Sequence, residues 1–331
     1  MTPMYRLFGM ELSPYSIKVR SYLRYKGIPH EWIIRSTATQ AEFDRHARLP
    51  LVPLLLAPDG SAMQDSTPII EALEQRHPTP SIHPPDPALA FLSALLEEYG
   101  DEWGNKPMFH YRWWYPADQE SAAERIASAM MPGLEADALA NAAAAVRGRM
   151  TGRLSFVGSS AATKELIEAS FRRALQLLEA HLATRPYLFG RRPAFADFGV
   201  YPQLYQCLTD PTPGALMRQT APRVTAWVSR MLEPAAEGEF EAWDALAPTL
   251  EPLLREEVSG FFLPWSTANA NALAAGEKTF RVTLQGAPFS QETQKYHARS
   301  LGALRTRFAA VADHARLDRI LAGTGCLAWL T

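Results

Sequence analysis

Near residue 78 the apolar positions along the chain change period. Before it, short apolar runs alternate with amphipathic segments. Tyr5-Arg6-Leu7-Phe8 reads as a strand running into a polar turn. Ser13 and Pro14 then open a helix that Gly27 closes. Serine is a good N-cap, proline fits the first helical position, and glycine suits the residue past the last turn. Leu49–Leu56 reads as a loop entering a buried strand, with Val52-Pro53 at its mouth. Proline has no N–H and belongs at a strand start, and a cis Val52–Pro53 bond is admissible there. Pro58-Asp59-Gly60 turns the chain between two strands, and Asp65-Ser66 ends the second of them and starts another helix.

After this point strand patterns largely vanish. His77–Pro87 holds five prolines in eleven residues, a stiff extended connector. Leu92, Leu96, Tyr99 and Trp103 then follow helical spacing, as do Ile167, Phe171, Leu175, Leu178 and Leu182. The division this predicts is a unit over 1–78, a linker over 79–89 and a mainly helical unit over 90–331. Within the last stretch, from about 251, Phe280–Gly286 alternates like a strand and Gln291–Ala312 looks helical.

Composition narrows the class. A chain of 331 residues with 47% hydrophobic content has ample material for two domains. Charged residues make up 21% and the net charge is −2, so no basic excess points to nucleic acid or an acidic membrane surface. Met1–Arg6 carries no apolar signal region, and no apolar run is long enough to span a bilayer. Cys207 and Cys326 lie outside any paired motif, which favours a reducing, cytoplasmic setting.

Three places carry candidate chemistry. Ser13 puts a hydroxyl at a helix start, where unpaired N–H groups favour an anion such as a thiolate. An ordinary helix cap is the competing reading, and the residues alone leave both open. Asp65-Ser66 sets a carboxylate and a hydroxyl at a second helix start. Glu98, Asp101, Glu102, Asn105 and His110 are interleaved with aromatic residues. Metal ligation by Glu98, Glu102 and His110 competes there with an aromatic core stripe behind a solvated acidic face. The second fits better, because no compact ligand motif is present.

The order of strand, Ser13-Pro14-Tyr15-Ser16 helix start, Val52-Pro53, hairpin and Asp65-Ser66 helix start resembles the N-terminal domain of the cytosolic glutathione transferases. The Ser-Pro-Tyr-Ser segment is similar to the omega, tau and zeta classes, with serine where omega members have cysteine. Tyr187-Leu188-Phe189-Gly190 before Pro193–Phe198 resembles the segment that starts the family's buried core helix, but Ala194 stands where a hydroxyl belongs. Half of the reciprocal cap with Asp197 is therefore missing, which costs about 1 kcal/mol.

The resemblance implies a thioredoxin-like α/β N-terminal domain followed by an all-α C-terminal domain. It implies glutathione as co-substrate without a metal, a small electrophilic substrate, and a homodimer that engages neither nucleic acid nor membrane. Ser13 would stabilise the glutathione thiolate. The Val52 backbone, before Pro53, would pair with the cysteinyl part. Asp65 and Ser66 would hold the γ-glutamyl end, with Gln64 as an accessory, and Arg35 and Arg48 are both charge-compatible with the glycyl carboxylate. Tyr15, Tyr99 and Trp103 are candidates for a second-substrate pocket. The reaction implied is conjugation to an electrophilic centre. The alternatives are glutathione-dependent isomerisation, ether cleavage or dehalogenation, or a non-catalytic binding scaffold. Serine forms no mixed disulfide, which argues against thiol–disulfide chemistry. The family pattern ends well before residue 331. The extension from about 251 either covers the core, shapes a pocket or makes an oligomer contact.

Overall fold

The computed structural model describes residues 4–312 and 314–331. Met1, Thr2 and Pro3, half of the Met1–Arg6 stretch read as lacking a signal region, lie outside the described residues. The first unit runs β1 (Tyr5–Gly9), α1 (Pro14–Tyr25), β2 (His30–Ile34), α2 (Gln40–His46), β3 (Leu54–Leu56), β4 (Ala62–Gln64) and α3 (Ser66–Arg76). The sheet order is β2-β1-β3-β4. The β1–β2 pair is parallel, which requires a crossover, and α1 supplies it. β3 runs antiparallel to β1 and β4, so Leu55 sits opposite both Leu7 and Met63.

Side-chain alternation gives this sheet two apolar faces. Leu7 and Leu55 pack toward Ile17, Leu23, Ile69 and Leu73 of the flanking helices. Phe8, Ile33, Leu54 and Leu56 close the other face against Phe43 of α2. Ser13 caps α1 as its residue type predicts: its Oγ accepts from the Ser16 N–H at 3.3 Å, and Pro14 opens the helix. Gly27, past the helix end, has φ +62°, where a side chain would be strained.

The helical part follows with α4 (Pro87–Glu98), a π-helical turn (Tyr99–Trp103), α5 (Asn105–Trp114), α6 (Pro116–Met130), α7 (Ala136–Thr151), α8 (Lys164–His181) and α9 (Phe195–Thr209). It continues with α10 (Pro211–Thr220), α11 (Pro222–Arg230), α12 (Trp243–Leu253), a second π-helical turn (Leu254–Phe262) and α13 (Leu263–Ala274). The chain ends with β5 (Thr279–Leu284), β6 (Ala287–Glu292), α14 (Lys295–Ala309), α15 (His314–Gly323) and α16 (Leu327–Leu330).

α9 is the buried axis of this part. It passes the first π-helical turn at two glycines: a Cβ on Gly199 would lie 2.5 Å from Glu97 Cα, and one on Gly100 2.6 Å from the Gly199 carbonyl carbon. Asp197 anchors the start of α9, accepting from the N–H groups of Ala194 (2.8 Å) and Leu188 (2.9 Å) and from Trp227 Nε1 (2.9 Å). Ala194 returns only its backbone carbonyl, 3.0 Å from the Asp197 N–H.

The stretch beyond 251 covers the helical core. Trp103 meets Phe261, Trp265 and Phe289 at ring distances of 5.3–5.9 Å. Gln291 is buried, its Oε1 accepting from Lys106 Nζ (2.7 Å) and Trp265 Nε1 (3.0 Å). The strand expected over 280–286 is the first arm of a hairpin. Its turn residues Gln285 (φ 49°) and Gly286 (φ 80°) both have positive φ, as a two-residue type I′ turn demands. The helix expected from Gln291 begins at Lys295 instead, because Gln291 and Glu292 complete β6.

Candidate functional site

A cavity of about 720 Å³ opens between the sheet unit and α14. Val52, Pro53, Gln64, Asp65 and Ser66 form one wall, Tyr15 lies against it, and His46 and Arg48 border it from the α2–β3 segment. Tyr296 and Arg299 of α14 close it from the extension.

The Val52–Pro53 bond is cis. Val52 stands outside the ladder, whose first paired residue on β3 is Leu54. Among the described residues no other backbone group takes its N–H or C=O. A backbone with free polar groups at the mouth of a strand can pair with a peptide. At the far end of β4, Asp65 has φ 78° and ψ 127°. Such a conformation costs a non-glycine residue on the order of 1–3 kcal/mol and persists only where its surroundings impose it. The Asp65 carboxylate does not cap α3; it accepts from the Tyr296 hydroxyl at 3.1 and 3.2 Å. The N–H groups of Ser66 and Thr67 have no acceptor among the described residues, so the start of α3 presents donors and a positive helix end.

Gln64 has a different task from the accessory contact expected of it. Its Oε1 accepts from the N–H groups of Arg48 (2.7 Å) and Leu49 (3.0 Å), and its Nε2 donates to the carbonyls of Leu49 (2.9 Å) and Leu51 (2.8 Å). The amide is saturated and holds the loop that precedes Val52. Of the two arginines, Arg48 lines the cavity, while Arg35 donates to the Pro50 carbonyl at 2.9 Å and lies over the Phe43 ring.

Ser13 sits at the α1 start and is not among the residues that line the cavity. Its oxygen accepts from Ser16, and its own proton has no acceptor among the described residues. Ser16 Oγ is buried without a hydrogen-bond partner among the described residues. The Tyr15 hydroxyl donates to the Asp101 carbonyl at 3.1 Å. Burial, with Asp101 close by, raises its pKa well above the usual phenol value.

Beneath the site lies a buried cluster that the sequence reading did not find. Lys18 Nζ reaches Asp101 Oδ2 (2.6 Å), Thr67 Oγ1 (2.9 Å) and Glu97. It ties α1 to α3 and to the α4 region directly under the Asp65–Ser66 corner. Burial opposes the lysine charge, but Asp101 and Glu97 outweigh it and hold its pKa above the ordinary value. Burial pushes Asp101 up to about 8 against the Lys18 charge. The available signal was a lysine one turn from both Pro14 and Tyr22 on a core-facing side of the helix.

Tyr99 and Trp103, candidates for a pocket wall, are placed in the core rather than at the cavity. The Tyr99 hydroxyl donates to Glu257 at 3.4 Å, and Trp103 Nε1 donates to Ser170 Oγ at 2.9 Å. Their stripe meets the apolar side chains of the extension instead of a cleft. The acidic face read as solvated is likewise covered: Glu97, Asp101 and Glu102 are buried, with His297 on Glu102 and Ser300 on Glu98. His110 turns away to Ser159 (2.7 Å) and Glu168 (3.2 Å), so Glu98, Glu102 and His110 serve separate partners.

A thioredoxin-like sheet, with Val52-Pro53 at a strand mouth and Asp65-Ser66 at a helix start, is thus followed by a helical domain. Comparison with known sequences agrees. The model of the glutathione S-transferase N-terminal domain matches residues 7–81, and that of the C-terminal domain matches 136–230, together just over half of the chain. The chain belongs to the glutathione S-transferase family. The isoprene-epoxide–glutathione S-transferase of Rhodococcus sp. (strain AD45) is 25% identical over 234 residues, covering 67% of this chain and 92% of the relative. A glutathione S-transferase of Methylobacterium radiotolerans, solved with glutathione sulfonate, is 23% identical, with 74% of this chain and 94% of that chain covered and a TM-score of 0.44. A beta-etherase of Sphingobium sp. strain SYK-6 is 18% identical, with 75% and 99% covered and a TM-score of 0.45.

Proposed function

We propose that this chain binds glutathione in the 720 Å³ cavity and transfers its thiolate to an electrophilic carbon. The observation that carries the reading is the company Val52 keeps. An unpaired backbone stands beside an amine-accepting carboxylate, Asp65, and a donor-rich helix start at Ser66. A γ-glutamyl tripeptide presents the complements of all three. The Val52 backbone pairs with the cysteinyl unit, Asp65 accepts from the ammonium, and Ser66 with the α3 start receives the adjacent carboxylate. Arg48 is the better placed of the two arginines for the glycyl carboxylate. Ser13 turns its free O–H toward the sulfur, and a donor to the charged form favours ionisation.

Epoxides are the first electrophiles to test, given the Rhodococcus relative. The sulfur forms a bond to a ring carbon, the ring C–O bond breaks, and the alkoxide takes a proton from water. The test is calorimetric titration with glutathione, then a conjugation assay across epoxides and aryl halides. Binding with turnover supports the proposal, and absence of glutathione binding by the wild-type chain refutes it. Binding without turnover supports a second reading, a glutathione-binding scaffold. Burial of Tyr99 and Trp103 beneath the extension favours that reading. Isomerase, etherase and dehalogenase activities use the same thiolate and belong in the same panel.

The chain is further proposed to act as a cytoplasmic homodimer. Its two cysteines are buried and unpaired, as a reducing compartment allows, and light scattering is expected to return twice the 36.8 kDa chain mass. Among the described residues, no helix is long and apolar enough to cross a membrane.

A further inference from the structure

The extension does more than cover the helical core. α14 crosses back to the sheet unit, and its first turn enters the cavity wall through Tyr296 and Arg299. These two residues are three apart and share a helix face. The rest of the segment is fastened down: His297 meets Glu102, Ser300 meets Glu98, Arg307 meets Glu71 and Arg316 meets Asp86. Arg299 is not used in this way. Among the described residues its guanidinium has no ion-pair or hydrogen-bond partner, and its recorded contact is the Tyr296 ring, 5.7 Å away.

Tyr296 lies against the residue expected to hold the γ-glutamyl ammonium, donating to the Asp65 carboxylate at 3.1 and 3.2 Å. A carboxylate has about four lone-pair sites, so Asp65 can keep this phenol and still accept from an ammonium. Pro68 and Ala72 of α3 line the same side of the cavity as Asp65 and Ser66, whereas Arg48 and His46 come from the α2–β3 segment. Arg299 is thus an unpaired cation near the γ-glutamyl end of the site.

We propose that α14 completes the glutathione site, with Arg299 receiving the γ-glutamyl carboxylate beside the start of α3 and Tyr296 holding Asp65 for the neighbouring ammonium. The proposal rests on the reading of the cavity as the glutathione site. It makes the C-terminal extension a binding element in addition to a cover.

The test is calorimetric titration of the full-length protein with glutathione near neutral pH. Arg299→Ala is expected to bind about tenfold more weakly, as loss of one charge-assisted hydrogen bond at an exposed site implies. Arg299→Lys falls between, and Tyr296→Phe weakens binding about threefold. Lys295→Ala, at the exposed α14 start, binds as the wild type does. Glutathione esterified on its glycyl carboxylate preserves the difference between wild type and Arg299→Ala. All four substitutions are at surface positions, and thermal melts check that each variant is folded. Wild-type affinity in both Arg299→Ala and Tyr296→Phe overturns the proposal. So does an equal loss in Lys295→Ala, which reports net charge only, or disappearance of the Arg299 effect with the glycyl ester. A wild-type protein that fails to bind glutathione refutes the underlying reading instead.

Discussion

Replacing Lys18 with methionine tests the buried joint beneath the site. Lys18 is fully buried, as is Glu97, and Asp101 is nearly so. The ammonium is the recorded cation in contact with either carboxylate, at 2.6 Å from Asp101 and in direct contact with Glu97. Methionine fills similar space but leaves the Glu97 carboxylate, and above about pH 8 that of Asp101 as well, without a counter-charge. Removing one partner of such a buried pair costs about 3–5 kcal/mol, far more than an exposed pair contributes. Two acids share the lost partner and one can take up a proton, so the lower end, about 3 kcal/mol, is expected at neutral pH. Urea denaturation of wild type and Lys18→Met measures it. The deficit is expected to shrink as pH falls, because the variant's folded carboxyls bind protons more readily than the unfolded ones. Lys18→Met with Glu97→Gln and Asp101→Asn is expected to recover much of the loss. A cost below about 1 kcal/mol at neutral pH would show that the cluster is solvated and the reasoning wrong.

Asp65→Asn, which retains tolerance of positive φ, and Ser66→Ala are each expected to weaken glutathione binding about tenfold without unfolding the chain. Titration calorimetry on folded variants decides, and unchanged affinity in both would remove this corner from the site. Glu257 accepts from Ser170 (2.6 Å) and Tyr99 (3.4 Å), and burial pushes its carboxyl up to about 8. Its folded pKa exceeds its unfolded one, so its contribution is fully present below about pH 4.5 and is lost as pH rises through about 8. Glu257→Gln is therefore expected to gain on the order of 2–4 kcal/mol relative to wild type between about pH 5 and pH 8 in urea denaturation. A pH-independent difference would contradict the burial argument.

The sheet unit was legible because its determinants are local. Ser13-Pro14 and Gly27 bracket α1, Pro53 marks the mouth of β3, and Asp65-Ser66 marks the start of α3, each through the conformational preference of one or two residues. The half-formed cap at Ala194 was readable for the same reason. The cavity was only partly legible. Tyr296 meets Asp65 across 231 positions of sequence, and no periodicity announces such a pairing. The stripe of Leu92, Leu96, Tyr99 and Trp103 was visible, but spacing does not say whether a stripe faces a cleft or the apolar side of a distant segment. The acidic face of Glu98, Asp101 and Glu102 looked solvated because its partners, Ser300, Lys18 and His297, come from the two ends of the chain. Gln64 was read by proximity to the site, whereas its four bonds to the 48–51 loop depend on a chain reversal that spacing does not encode.

The central claim is that this chain binds glutathione and activates its thiol at the α1 start. The absorbance of bound thiolate against pH, for wild type, Ser13→Ala and Ser16→Ala, tests it most directly. Loss of one hydrogen bond to the charged sulfur is expected to raise the thiol pKa in Ser13→Ala by about 1–2 units. Ser16→Ala should titrate like wild type, since its hydroxyl is fully buried within the first turn of α1. Raising the pH should partly rescue turnover in Ser13→Ala, as more thiolate forms unaided. A Ser13→Ala titration that superimposes on the wild type would contradict the account and leave Ser16 or the backbone N–H groups of the α1 start to stabilise the thiolate.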